Sequence, residues 1–168
     1  MKPTIRDERP TDIDTIARLT EAAFASAPHT RHTEQFIVAA LREAGQMSIS
    51  LVALEGDELV GHVAVSPVTL SSGDHGWYGL GPISVRPDRQ GHGIGSALMA
   101  AAIGRLETMD SAGCVLLGDP GYYARFGFRA CRQLVLPGVP PEYFQALPLA
   151  GGVPAAEVSY HAAFDATA

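Results

Sequence analysis

Lysine is almost missing from this chain of 168 residues: of its 12 basic residues, only Lys2 is one. That scarcity excludes a Schiff-base nucleophile, a phosphate-binding loop ending in Lys-Ser/Thr and a kinase-type lysine. Cysteine is equally rare. Cys114 and Cys131 stand alone, too few for a disulfide framework or a zinc site, so no metal is expected. The longest apolar run, Ala97 to Ile103, is seven residues, against the ~20 that a membrane helix requires. No basic cluster occurs and the net charge is 12 − 18 = −6, which argues against a nucleic-acid partner. The segment Met1 to Asp7 lacks the apolar core of a signal peptide, making a reducing, cytoplasmic location the expectation.

What is present is a hydrophobic content of 46%. At this length folding hides roughly 70% of the extended chain's surface, so a full core needs no staple. No repeat or linker divides the sequence, and residues 1–168 are expected to form one domain. Ile13, Ile16, Leu19 and Phe24 recur at helical intervals behind Pro10-Thr11-Asp12, with Thr11 and Asp14 at capping-box spacing. A polar hinge, Ser26 to His32, leads into a second helix from Thr33 to about Ala44. Ile49 to Leu54 and Glu58 to Val68 flank Glu55-Gly56-Asp57, a hairpin signal. Trp77 to Val85 is a further strand, and its Pro82 implies a bulge or an incompletely paired side. Ile94, Leu98, Ala102, Leu106 and Met109 predict the longest helix, from Gly93 to Met109. Cys114 to Leu117 is a short buried strand, Tyr122 to Phe126 a helical turn and Arg129 to Leu136 extended. Pro137 to Pro154 reads mostly as loop, and Val153 to Phe164 is expected to close the sheet. The pattern is α/β, with antiparallel strands early and a strand–helix–strand unit in the middle.

The most informative stretch runs from Ile83 through Gln90-Gly91-His92-Gly93-Ile94-Gly95-Ser96: strand, glycine-rich turn, long helix. The first turn of a helix leaves about four N–H groups unpaired at the positive end of its dipole, and glycines let a ligand approach them. Such a turn can seat a phosphate or pyrophosphate. It can also be no more than a tight turn. The dinucleotide fingerprint fails here, because the third glycine position is Ser96 and no acidic residue follows at the required offset.

Gln90, Gly93 and Gly95 after a strand resemble motif A of the GNAT superfamily of N-acetyltransferases. Gly118-Asp119-Pro120-Gly121-Tyr122-Tyr123-Ala124-Arg125-Phe126-Gly127-Phe128 resembles its motif B. The wording of Gly61-His62-Val63, Ser66-Pro67-Val68 and Leu80-Gly81-Pro82 is similar to that of the YhbS-type bacterial subgroup. The resemblance implies a mixed, mostly antiparallel sheet of six or seven strands, flanked by about four helices. That sheet splays between a fourth strand, Trp77 to Val85, and a fifth, Cys114 to Leu117. Acetyl-CoA, the implied cosubstrate, would lie in the cleft. The backbone of Ile83 and Val85 would pair with pantetheine while the amides from Gln90 to Ser96 hold the pyrophosphate. Ile83, Ser84, Val85, Gln90, Gly91, His92, Gly93, Ile94, Gly95 and Ser96 are thus the expected cofactor-binding residues. Arg89 is either a phosphate neighbour or a solvated arginine.

The implied reaction is acetyl transfer to a primary amine by direct attack in a ternary complex; the alternative is a non-catalytic acyl-CoA-binding or regulatory module. An amine with a pKa near ~10 arrives as ammonium, so a base or a water relay must take a proton. Tyr123 stands where the family's tyrosine stands and is the candidate general acid, or else an aromatic wall. A backbone N–H, that of Val85, would polarise the carbonyl. Glu34 is the candidate base, or else a charge favoured by the helix dipole. His29 and His32 lack a third metal ligand, and His62 reads as structural. The acceptor is a small-molecule or peptide amine, with a homodimer the partner the resemblance suggests.

Overall fold

The structure, a computed structural model, describes residues 2–27 and 30–168. The chain opens with β1 (Thr4–Asp7), a 3-10 turn (Pro10–Asp12), α1 (Ile13–Phe24) and α2 (Glu34–Glu43). The entrance to α1 is held by Asp12 rather than by Thr11 and Asp14. The Asp12 carboxylate accepts the Arg9 backbone N–H at 2.7 Å and the Arg6 guanidinium at 2.7 Å. The hairpin follows as β2 (Ile49–Glu55) and β3 (Glu58–Pro67), then a short β4 (Thr69–Leu70) and β5 (Trp77–Val85). Next come α3 (Ile94–Thr108), β6 (Gly113–Leu117) and the single turn α4 (Pro120–Tyr123). The chain ends with β7 (Arg129–Ala130), β8 (Leu134–Val135), β9 (Phe144–Pro148) and β10 (Ala156–Ser159).

Seven strands form the main sheet in the order β1-β2-β3-β5-β6-β9-β7, antiparallel except for the β5–β6 pair. Two expectations from the sequence are corrected. The presumed loop after Pro137 contains β9, which enters the sheet between β6 and β7 with Cys114 opposite Leu147. Its first three residues, Phe144, Gln145 and Ala146, are buried; docking makes this strand, since five residues among prolines carry little local signal. The C-terminal segment does not close the main sheet: β10 pairs with β4 and β8 in a separate three-stranded sheet.

Ile94, Leu98, Met99, Ala102 and Leu106 of α3 are buried against Leu51, Val63, Val65 and Leu116 of the sheet, the main core. Met109, the last member of the predicted stripe, lies past the helix end and is exposed. On the opposite face, Ile16 of α1 and Val38 of α2 cover Val52. No helix among the described residues is long and apolar enough to cross a membrane.

The sheet parts where the family pattern implies. Only Trp77, Gly79 and the Tyr78 between them pair with β6, although β5 continues to Val85. On its other side Val63 faces Ile83 whereas Val65 faces Leu80, so β5 carries one residue more than β3 around Gly81-Pro82. This is the bulge that Pro82 implied.

A chain of polar side chains crosses the α1/α2 face. Ser50 of β2 donates to Glu8 Oε1 at 2.7 Å and lies 2.8 Å from His62 Nε2 on β3. Arg42 of α2 holds Glu8 through two bonds, at 2.6 and 2.9 Å. His62 is wholly buried, and burial pushes its imidazole down to about 4, against a smaller upward pull from Glu8. The folded protein therefore refuses a proton that the unfolded chain accepts below pH ~6.5. This contribution to stability is present above that pH and is lost as pH falls toward 4. Urea unfolding is expected to show about 2 kcal/mol less stability at pH 4.5 than at pH 7 from this group. A loss of equal size in His62→Gln would refute the assignment.

Candidate active site

The turn before α3 is shaped by two left-handed glycines, Gly91 at φ 78° and Gly93 at φ 82°. A side chain at either position would strain the backbone. Gly93 caps the helix, its carbonyl accepting the first intrahelical bond from Ala97 at 3.1 Å. The amides of Ile94, Gly95 and Ser96 thus belong to the unpaired first turn. Gln90 Nε2 donates to the Val85 carbonyl at 3.1 Å and ties the turn to the end of β5. Val85, Gln90, Gly91, Gly93, Ile94, Gly95 and Ser96 border one cavity of about 340 Å³; His92 is exposed beside it.

Arg89 reaches that cavity but is committed elsewhere. Its fork grips the Glu55 carboxylate at 2.5 and 2.6 Å, so it is neither a solvated arginine nor free to face a phosphate. The Glu55 carboxyl is held below its ordinary value by this bond. A different arginine lines the same cavity: the Arg125 guanidinium stacks 4.4 Å from the Tyr122 ring centre, and its Nε donates to the Tyr122 carbonyl at 2.8 Å. The Tyr122 hydroxyl stands 3.4 Å from Ser96 Oγ. Arg125 lay within the quoted motif, yet only its stacking on Tyr122 shows where it points.

Along β5 the ladder decides which groups remain available. Arg86 donates its N–H to Val60 of β3 at 2.8 Å. Antiparallel alternation then turns the main chain of Ser84 toward β3 and that of Ile83 and Val85 toward the open edge. Ile83, Ser84 and Val85 border a second cavity of about 450 Å³, whose far wall is the C-terminal end of α1 with Phe24. It shares Val85 and Gln90 with the first.

A third cavity, about 500 Å³, meets the second at Phe24. Leu80, Gly81 and Pro82 of the bulge, Leu117, Ile37, Leu136 and Phe164 give it apolar walls, and the carboxylates of Glu34 and Asp165 outnumber the one cation on its lining among the described residues, Arg31. One Glu34 oxygen accepts the Thr30 hydroxyl; the other, Oε1, is buried without a partner among the described residues. Tyr160 also borders this cavity and packs edge-on against Phe164, its hydroxyl buried and its ionisation pushed up by burial. Nothing in the local sequence marks Tyr160: β10 carries it to β5 from the far end of the chain. His29 lies outside the described residues. His32 Nδ1 sits 3.0 Å from the Phe24 carbonyl and so carries the proton of that bond.

Tyr123 follows from a capped turn. Asp119 accepts the Gly121 N–H at 2.8 Å, and Pro120 starts α4. Gly118 lies so close that a Cβ there would overlap the Tyr123 ring. The ring packs edge-on against Tyr122 and Phe128, with centres 4.9 and 6.4 Å away. Burial, then the neighbouring Tyr122 and Asp119, push its phenol up, so it stays protonated through neutral pH.

The phosphate-sized turn, the open strand edge and the acidic, apolar cavity thus follow one another along β5. A model described as an acetyltransferase (GNAT) domain matches residues 4–131. The chain belongs to the GNAT acetyltransferase family. Among GNAT relatives, the uncharacterized N-acetyltransferase YhbS of Escherichia coli K12 is 35% identical over 125 residues, 74% of this chain and 72% of that protein. A GNAT family acetyltransferase from Brucella melitensis, solved in complex with acetyl-CoA, superposes with a TM-score of 0.87 at 46% identity. That match covers 97% of this chain and 98% of the other. YhbS from Escherichia coli, solved in complex with CoA, also gives 0.87, at 33% identity over 98% of this chain and 93% of its own.

Proposed function

We propose that this acyltransferase moves the acetyl group of acetyl-CoA to a primary amine by direct attack in a ternary complex. One observation carries the reading: the glycine turn and the open main-chain edge of Ile83 and Val85 lie end to end along β5. Their order matches the diphosphate and the amide-bearing pantetheine arm of coenzyme A. The amides of Gly91 to Ser96 take the diphosphate, with Gln90 fixing the turn and Arg125 supplying positive charge. Ser84 lines the middle of the groove. The two relatives solved with acetyl-CoA and CoA support the same ligand.

The acetyl group then reaches the junction of the second and third cavities. There Glu34 draws in the ammonium and serves as base. The Val85 N–H borders the phosphate cavity as well and is left to the pantetheine arm, so it does not polarise the acetyl carbonyl. Tyr123 borders neither cavity and takes the role of protonating the departing thiolate from its place in the motif. No acyl-enzyme is required. Cys114 is buried, its thiol pushed up by that burial, so it is a poor nucleophile. Both thiols are free, which suits a reducing cytoplasm. The acceptor is a small-molecule or peptide amine.

The test combines acetyl-CoA titration with measurement of free CoA thiol over phenethylamine, n-hexylamine, spermidine, glycinamide and poly-L-lysine. Amine-dependent thiol release is expected. Saturable binding with no release from any of them favours a non-catalytic acyl-CoA-binding module, and absence of binding sinks both.

A further inference from the structure

We propose that Ser84, His62, Ser50 and Glu8 form a chain of hydrogen bonds that conducts the acceptor's proton out of the cleft, a reading that rests on the acetyl transfer above. Per turnover an ammonium and a thioester give an amide, a thiol and one proton. Of the two protons the nitrogen loses, one ends on the thiol sulfur and the other must leave a covered groove.

The bond directions along the chain are dictated at its far end. The Glu8 carboxylate can only accept, so the Ser50 hydroxyl donates to it, at 2.7 Å. Ser50 Oγ is then left to accept from His62 Nε2, 2.8 Å away. His62 is therefore the Nε2–H tautomer, and its Nδ1 presents a lone pair. That Nδ1 is buried with no partner among the described residues, and the same holds for Ser84 Oγ. His62 and Ser84 are register partners on β3 and β5, so their side chains leave the same face about 5 Å apart. Buried polar atoms are rarely left unpaired, and one bridging water would join an acceptor lacking a donor to a donor lacking an acceptor. Ser84 in turn borders the groove of about 450 Å³ beside the acetyl position.

The proton moves by bond exchange. Glu34 takes the leaving proton from the ammonium and returns it, through water in the groove, to Ser84 Oγ while the Ser84 proton passes to His62 Nδ1. The Nε2 proton passes to Ser50 Oγ, and the Ser50 proton passes to the Glu8 carboxylate. Glu8, partly exposed, releases it to solvent. Rotation of the two hydroxyls and return of the tautomer reset the chain. The charged groups facing it are Glu8 and Asp12, which draw a proton along, and Arg42, which keeps Glu8 anionic between turnovers.

The decisive measurement is the single-turnover rate from pH 7 to about 10, with whichever amine of the panel releases most thiol. Ser50 lies a strand beyond His62 and does not border the groove. Ser50→Ala is expected to be about tenfold slower at pH 7 and within twofold of the parent near pH 10, where the amine arrives neutral. The acetyl-CoA Kd should be unchanged, and Ser50→Thr should keep the parent rate. A rate equal to the parent's at pH 7, as expected if Glu34 alone is the base, overturns the chain; so does an equal deficit at every pH. Should Ser50→Ala fail to fold, ¹⁵N resonances of His62 in the parent protein decide. A proton on Nε2, with an Nδ1 shift that moves in Ser84→Ala, supports the relay, and a proton on Nδ1 removes it. Absence of acetyl-CoA binding or of any thiol release strikes instead at the acetyl-transfer reading.

Discussion

Gly95→Glu is expected to weaken acetyl-CoA binding at least 100-fold, read by calorimetry. Gly95 sits in the first turn of α3, where its φ is not left-handed, and an added Cβ makes ordinary contacts with the Tyr122 hydroxyl at 3.4 Å and Val85 Cγ2 at 3.8 Å. The substitution therefore changes the charge of the cavity far more than its backbone. A carboxylate about 5 Å from a phosphate charge costs roughly 3 kcal/mol at an effective dielectric near 20, and 100-fold corresponds to about 2.7 kcal/mol. Gly95→Ala should bind within a few-fold of the parent. Tight binding by the glutamate variant would mean that coenzyme A is held elsewhere.

Tyr123→Phe should lower kcat by a factor of about 10² to 10³ and leave the acetyl-CoA Kd nearly unchanged, in the range that general acids contribute. The ring's packing on Gly118 and Phe128 survives the change, so only the hydroxyl is removed. Tyr122→Phe is the contrast. Its hydroxyl stands beside Ser96 in the phosphate cavity, so its loss should appear in the Kd and spare kcat. If the two effects are exchanged, the acid role passes from Tyr123 to Tyr122.

The parts of this site that were legible in the sequence are those built by neighbours along the chain. The glycine turn, the helix behind it and the bulge at Pro82 each depend on a few consecutive residues, and each is found where the pattern placed it. The acceptor side was not legible, because distant segments assemble it. Phe24 and Glu34 come from the first two helices, Leu136 from beyond β8, and Tyr160 from the end of β10. Strand β9 escaped for a related reason: opposite β6, burial decides its state, whereas its flanking prolines speak for a loop. Arg89 shows the converse limit. Its place in the turn was clear, but its partner Glu55 lies 34 positions earlier and was brought to it by the hairpin.

Because three ladder pairs alone tie β5 to β6, the seven strands amount to two panels joined along a short seam. A pantetheine arm bonded to Ile83 and Val85 would supply rungs that the protein itself leaves out, finishing the zip with borrowed amides. Each turnover would then unfasten and refasten a portion of the sheet, so that the spent coenzyme's departure is a mechanical event in the scaffold as much as a chemical one.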